Sequence, residues 1–148
     1  MPDNGSEFPS LSQGTVTLPF AAELDVQECL SRLARSSVGR VVYTDGALPA
    51  ITPVRYALDG WQVFFRPPLE PRLVKALTGA VVAFEVDQLG DELQDGWSVV
   101  VTGVAELCSV PSQWPRVAKL NLAGPRDAFD HVFALSPGII TGRCIPAL

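Results

Sequence analysis

The chain has 148 residues, of which 47% are apolar, and carries a formal net charge of −5 at pH 7. This length and composition suffice for one compact domain with a hydrophobic core. The acidic balance argues against a general nucleic-acid binder, which needs a basic face to neutralise phosphates. No apolar run approaches the roughly 18 residues that a membrane span needs. Three widely spaced cysteines without a signal-peptide pattern predict reduced thiols and a cytoplasmic location.

The first part of the chain divides into a tail and a capped helix. Residues 1–22 are rich in Pro, Gly and Ser and lack periodicity, so we expect a mobile tail there and one domain over 23–148. Asp25 and Glu28 have the spacing of a capping box, in which each side chain accepts from the other residue's backbone amide. Apolar residues recur after them at helical spacing, which predicts a helix over about 25–36.

Three strands joined by two tight turns are predicted next. Each turn carries an Asp-Gly dipeptide, at 45–46 and at 59–60, whose glycine accepts a positive φ. The strand between the turns contains Pro49 and Pro53, which have no amide hydrogen to donate to a sheet ladder. We therefore expect that strand to be an edge, to be bulged, or to be exposed where a ligand approaches.

The second half of the chain alternates short helices with strands. In order, the patterns predict a helix over about 71–78, an apolar strand AVVAFEVD, an acidic loop over 91–95, a long strand bent at Gly103, a helix from Ser112, and a final strand interrupted near Pro137-Gly138. About six antiparallel strands with short helices between them predict a mainly β fold, a small closed or split β-barrel.

Residue types for acid–base, nucleophilic or metal chemistry are sparse. His131 is the single histidine, and no Ser or Cys beside it has the sequence of a nucleophile elbow, so a surface role is favoured over a general base. One histidine and three scattered cysteines do not form a recognisable metal site. Trp97 is interpreted as a core or interface aromatic, with a platform for a planar ligand as the alternative.

Two arginines bracket a proline-rich stretch, FFRPPLEPRLVKAL, at residues 64–77. Arg66 ends a predicted strand, and Arg72 lies in the first turn of the following helix. Guanidinium groups suit bidentate recognition of phosphate, and the free amides at a helix start assist them. The two arginines are therefore a candidate anion site, with a rigid strand-to-helix connection as the alternative.

Five segments occur in an order that is typical of a known family. They are VGRVVYTDGALPAITPVRY, DGWQVFFR, AVVAFEVD, GWSVVVTGVAEL and GIITGRCI. Over about residues 25–145 the chain resembles the pyridoxamine 5′-phosphate oxidase-like, flavin-binding split-barrel superfamily, in particular small bacterial proteins related to nitroimidazole-resistance proteins. The resemblance implies a homodimeric split barrel with flavin mononucleotide (FMN) in a groove between the subunits. It also implies an oxidoreductase of a small molecule, in which the flavin performs the redox chemistry.

The resemblance further implies roles for individual residues. The second strand of the meander runs along the isoalloxazine ring and offers backbone groups to it. Arg66 and Arg72 hold the phosphate, while Trp97 and Ser98 line the cofactor region at the dimer interface. The residues expected to bind the cofactor are thus Thr52, Pro53, Val54, Arg55, Phe65, Arg66, Arg72, Trp97 and Ser98.

The turn between the two arginines departs from the family pattern. Family members usually place a small hydroxyl residue after the strand-end arginine and a lysine at the helix start, where this chain has Pro67 and Arg72. Pro67 offers neither a hydroxyl nor an amide donor, and Glu70 would repel a phosphate if it faced the same pocket. The alternatives to FMN are a deazaflavin, haem, or no cofactor, the last in a small-ligand binder or an interaction module.

Overall fold

The computed structural model of the protein describes residues 22–90, 96–109, 114–120, 122 and 131–145. Nearly all of the predicted tail, the acidic loop and the predicted helix start at Ser112 lie outside these residues. The strands are β1 (Ala22–Glu23), β2 (Val38–Asp45), β3 (Leu48–Asp59), β4 (Gln62–Arg66), β5 (Ala80–Gln88), β6 (Gly96–Leu107) and β7 (Phe133–Ile145). The helices are α1 (Val26–Arg35), α2 (Pro71–Leu77) and α3 (Trp114–Ala118).

Six of the strands close into an antiparallel barrel. They are hydrogen-bonded in the order β7–β4–β3–β2–β5–β6, and β6 pairs again with β7. β7 closes the ring because its first residues, 133–135, pair with β4 along one edge, while nearly its whole length pairs with β6 along the other. The short β1 extends the sheet beside the end of β7. The predicted mainly β, antiparallel barrel is confirmed.

Local signals in the first half of the chain are also confirmed. Asp25 caps α1: its carboxylate accepts from the Glu28 amide at 2.8 Å, and the Glu28 carboxylate accepts from the Asp25 amide at 3.4 Å. Gly46 and Gly60 have φ values of 55° and 63°, which is the conformation that the two Asp-Gly turns require.

The final strand differs from the prediction. It was expected to be interrupted near Pro137-Gly138, but β7 is one continuous strand. The register against β6 shifts between Thr102, which faces Ile139, and Gly103, which faces Pro137, so Gly138 is an extra residue without a partner on β6. A bulge absorbs such an extra residue and bends both strands while pairing continues on either side. Gly103 lies at this bend, as the sequence predicts.

Large apolar side chains fill the barrel interior. Phe84 and Phe133 each pack against Phe65, with the Phe65 and Phe133 rings stacked at 5.6 Å between centroids. Helix α1 adds Leu33 and helix α2 adds Leu77 to the same core. A second, smaller cluster lies on the outer side of β4 and β7 and consists of Phe64, Cys108, Val117, Val132 and Ala134. Among the helices of the described residues, none has the length and apolarity to cross a membrane.

Candidate functional site

The first half of β3 has an open edge. Leu48 to Arg55 pair with β2, whereas β4 pairs only with Arg55 to Asp59. In the described part of the chain, no strand covers the other edge of β3 from Leu48 to Val54. Pro49 and Pro53, which cannot donate to a ladder, lie in this half. The expectation that the prolines mark an exposed edge is thus confirmed for this half of the strand.

The residues predicted on this edge divide between two faces of the sheet. Thr52 and Val54 point into the barrel, where Val54 is buried and the Thr52 hydroxyl lies 3.2 Å from the Tyr43 hydroxyl. Pro53 and Arg55 point outward and are exposed. Because the side chains of Thr52 and Val54 point into the barrel, only the backbone of these two residues is available to a molecule on the outer face.

Arg66 lies directly opposite Arg55 in the ladder between β4 and β3. Successive side chains of a strand alternate between faces, and the neighbours of this pair, Tyr56 and Phe65, are buried in the core. Both arginines therefore project from the outer face. Phe65 was also expected to bind the cofactor; its side chain is fully buried and packed between aromatic rings, so only its backbone could reach a bound molecule.

The two arginines predicted to hold a phosphate are not brought together. The Arg72 guanidinium pairs with Asp45 at 2.9 Å, at the tip of the β2–β3 hairpin. Asp45 faces Leu48 across that hairpin, and Leu48 lies seven residues from Arg55, roughly 23 Å along an extended strand. The connecting turn has Pro67 buried and Glu70 exposed.

Trp97 and Ser98 lie on opposite faces of β6. Trp97 packs in the main core, and the Arg32 guanidinium lies over its ring at 5.6 Å from the centroid. Ser98 faces outward into a cleft of about 650 Å³ between β1, β6 and β7, which is also lined by Thr141 and Arg143. Of the two predicted residues, only Ser98 is available to a ligand in this cleft.

A charged cluster on the outer face was missed by the sequence analysis. Arg40 of β2 contacts Glu85 at 3.2 Å and Asp87 at 3.1 Å, both on β5. Burial, together with a hydrogen bond and repulsion from Asp87, raises the pKa of Glu85 to about 7, and Arg40 opposes this shift. The sequence shows these charged residues inside otherwise apolar strands. Which of them contact each other could not be predicted, because it depends on the order of the strands in the sheet. We call Arg40, Glu85 and Asp87 the charged cluster.

Two buried thiols and one buried phenol are unsuited to nucleophilic chemistry. Burial raises the pKa of the Cys29 thiol, with Asp25 and Glu28 adding to the shift, and burial also raises the pKa of Cys108. Burial raises the pKa of Tyr56 to about 12, and its hydroxyl donates to the Leu33 carbonyl at 2.6 Å. These groups stay protonated near neutral pH. The described residues also contain no group of three or more potential metal ligands.

Comparisons with known proteins agree on one family. A sequence profile of the pyridoxamine 5′-phosphate oxidase family matches residues 25–144. The Mycobacterium tuberculosis protein Rv0080 is 41% identical over 130 residues, which cover 84% of this chain and 86% of that protein.

Two solved structures share the fold over nearly their whole length. An FAD-binding protein from Mycobacterium smegmatis is 29% identical, with a TM-score of 0.73 over 84% of this chain and 97% of its own. A candidate pyridoxamine 5′-phosphate oxidase from Corynebacterium glutamicum is 28% identical, with a TM-score of 0.74 over 90% and 99%. The chain therefore belongs to the pyridoxamine 5′-phosphate oxidase family and has its split-barrel fold.

Proposed function

We propose that the protein binds a flavin, FMN in the first place, along the open edge of β3 and beside Arg66, and that it is an oxidoreductase of a small molecule. The open edge, with two outward arginines where it meets β4, carries this proposal. The family assignment supports it, as does the similar M. smegmatis protein that is described as FAD-binding. A cytoplasmic location is part of the same proposal.

The chain's own residues would bind and orient the cofactor. Backbone groups of Thr52 to Val54 have no neighbouring strand on the open edge among the described residues, so they are available to the polar edge of a flat ring. Arg66 would bind the phosphate, and Arg72 could join it only by leaving Asp45. A bound flavin would supply the redox chemistry, which fits a site without an evident acid or base.

A visible absorption spectrum and a thermal titration test the flavin proposal. We expect purified protein to carry flavin absorbance, or the stripped protein to be stabilised by added FMN. At a free FMN concentration of 100 times Kd, the free energy of unfolding should rise by about 2.7 kcal/mol. Lumichrome, a ring compound without a phosphate, serves as the control and should stabilise the protein less than FMN does. Protein without flavin absorbance, and with an unchanged Tm in FMN and in FAD, would refute the proposal.

A second candidate is a split barrel that works without FMN, as a binder of another small ligand, a deazaflavin or haem. The pairing of Arg72 with Asp45 and the proline at position 67 favour it, because the pairing engages one cation that the family pattern assigns to the phosphate, and Pro67 has neither a hydroxyl nor an amide hydrogen to donate. The outward cleft at Ser98 and Arg143 would be its binding site. The same spectrum separates these cases, since haem, deazaflavin and flavin absorb at different wavelengths.

We further propose that a second copy of the chain covers the outer face of the sheet. One row of outward residues crosses five strands, with direct partners at each step: Ile51, Val42, Ala83, Thr102 and Ile139. Its end residues, Ile51 and Ile139, are 60% and 61% exposed. The charged cluster lies beside this row and contains both signs of charge. In a two-fold dimer the same patch meets itself, so a patch with both charges can be self-complementary.

Replacing Ala83 with Arg is expected to convert the protein to a monomer. Ala83 lies in the middle of the row, and a long charged side chain there would have to be desolvated in a dimer. Size-exclusion chromatography with light scattering should give twice 15.9 kDa for the unchanged protein and 15.9 kDa for the variant. Trp61→Arg, at an exposed position in the β3–β4 turn, is the matched control. A monomeric unchanged protein would contradict the proposal.

A further inference from the structure

Two carboxylates of the charged cluster share one guanidinium group. Glu85 and Asp87 are alternate residues of β5, and their side chains lie on the same outer face. Both contact the same nitrogen, Nη1 of Arg40, at 3.2 Å and 3.1 Å. When both acids are ionised the cluster therefore carries one net negative charge, and when one of them is protonated the cluster is neutral. The charge of this part of the surface depends on a single proton.

The neighbouring strands supply no further charge that contacts the cluster among the described residues. On β6, the residues directly opposite the two acids are Val100 and Ser98, which are uncharged. Further cations on the same face are Arg55 on β3 and Arg143 on β7. Each of these strands is two positions away from β5 in the sheet, roughly 10 Å, and neither arginine forms an ion pair with the cluster. The excess negative charge is thus left to the cluster itself.

The cluster adjoins the row of outward residues that the proposed dimer covers. Ala83 and Glu85 are alternate outward residues of β5, and Val42 and Arg40 are alternate outward residues of β2. Alternate residues of a strand are roughly 7 Å apart. A second copy that packs on Val42 and Ala83 therefore also removes water from Arg40 and Glu85. Removing water from a group of charges costs more free energy when the charges do not balance.

We infer that proton binding by Glu85 regulates the self-association of the chain, because the neutral cluster favours association and the negative cluster opposes it. This regulation rests on the proposed dimer. A two-fold dimer covers the clusters of both copies, so two net negative charges enter one interface when all four acids are ionised. Association then raises the pKa of Glu85 above its value of about 7 in the single chain. The gain in affinity is fully present well below pH 7 and is lost as the pH rises past it.

Analytical ultracentrifugation of dilution series at pH 6, 7, 8 and 8.5 measures the Kd of the dimer. We expect the Kd of the unchanged protein to rise about 10-fold from pH 6 to pH 8.5, as for a pKa raised by about half a unit in each of two subunits. The Kd of Glu85→Gln, which stays neutral, should change less than about 2-fold over the same range. Asp87→Asn leaves one carboxylate for Arg40, so its cluster is neutral when Glu85 is ionised, and its Kd should not rise with pH.

A control variant and a spectrum separate this effect from others. Glu70→Gln removes an exposed acid before α2 that makes no capping hydrogen bond, and it should behave like the unchanged protein. The far-UV circular dichroism spectrum should be the same at every pH, since dissociation leaves the barrel folded, and loss of the strand signal on dissociation would contradict the inference. A dimer with the same Kd at pH 6 and 8.5, or with an equal rise in Glu85→Gln, would show that the inference is wrong and leave the dimer standing. A chain that is monomeric at every pH contradicts both.

Discussion

Replacing Gly103 with Ala is expected to lower the free energy of unfolding by about 3 kcal/mol or more. A Cβ atom at this position would overlap the Ser136 carbonyl oxygen and lie 3.2 Å from the Gly138 amide nitrogen. Both atoms belong to the backbone of β7, so no side-chain rotation can relieve the overlap. The bend that lets β6 and β7 pair on both sides of the register shift would have to change. Urea unfolding gives the free energy directly, and the Tm should fall by roughly 10 °C.

Gly138→Ala is the matched control for this prediction. Gly138 is the extra residue of the same bulge, but a Cβ there would meet only the Thr102 carbonyl oxygen, at 3.4 Å, which is an ordinary contact. We expect a change of less than about 1 kcal/mol, since Ala also narrows the unfolded ensemble. Equal losses in the two variants would contradict this prediction. They would mean that replacing any glycine of the bulge destabilises the protein, whether or not the new Cβ atom overlaps the backbone of β7.

Much of the fold was predictable because its signals are local. The Asp25–Glu28 capping box acts within one helical turn, and each Asp-Gly turn specifies its own hairpin. Gly103 marked the bend in its strand for the same reason. Closure of the barrel was harder to predict, because it depends on the pairing of β7 with β4 and with β6, and both of these strands are distant from β7 in sequence. The expected interruption of β7 was wrong because the Pro137-Gly138 dipeptide is compatible with a bulge as well as with the end of a strand, and the sequence does not distinguish the two.

The candidate site was less predictable because it depends on strand register. Arg66 was singled out from its position at a strand end, but its neighbour Arg55 is defined only by the pairing of β3 with β4. Arg72 was expected to join Arg66 because both bracket one turn, and the contact with Asp45 could not be foreseen from a residue 27 positions away. The resemblance to the family supplied the architecture, while the register supplied the neighbours of each charge.

The charged cluster has a consequence for stability that can be measured. The pKa of Glu85 is about 7 in the folded protein against 4.5 for the ordinary group, so the folded state holds a proton that the unfolded state releases. The stabilisation is complete below about pH 4.5 and is lost as the pH rises through 7. At 1.36 kcal/mol per pKa unit, the loss between pH 5 and pH 8 is up to about 3 kcal/mol. The Glu85→Gln variant is expected not to show this loss of stability, because the glutamine side chain stays neutral at every pH in this range.

The measurement is the difference in free energy of unfolding between the unchanged protein and Glu85→Gln, from urea unfolding at pH 5, 6, 7 and 8 and one protein concentration. Other groups that titrate in this range contribute equally to both proteins and cancel in the difference. We expect Glu85→Gln to gain on the unchanged protein between pH 5 and 7 and to gain little more between pH 7 and 8, because Glu85 is then ionised in both the folded and the unfolded state. Asp87→Asn should reduce the slope in part, because Asp87 raises the pKa of Glu85 by a hydrogen bond and by repulsion. Parallel curves for the two proteins from pH 5 to 8 would show that Glu85 is already ionised in the folded state, as a strong contact with Arg40 alone would make it.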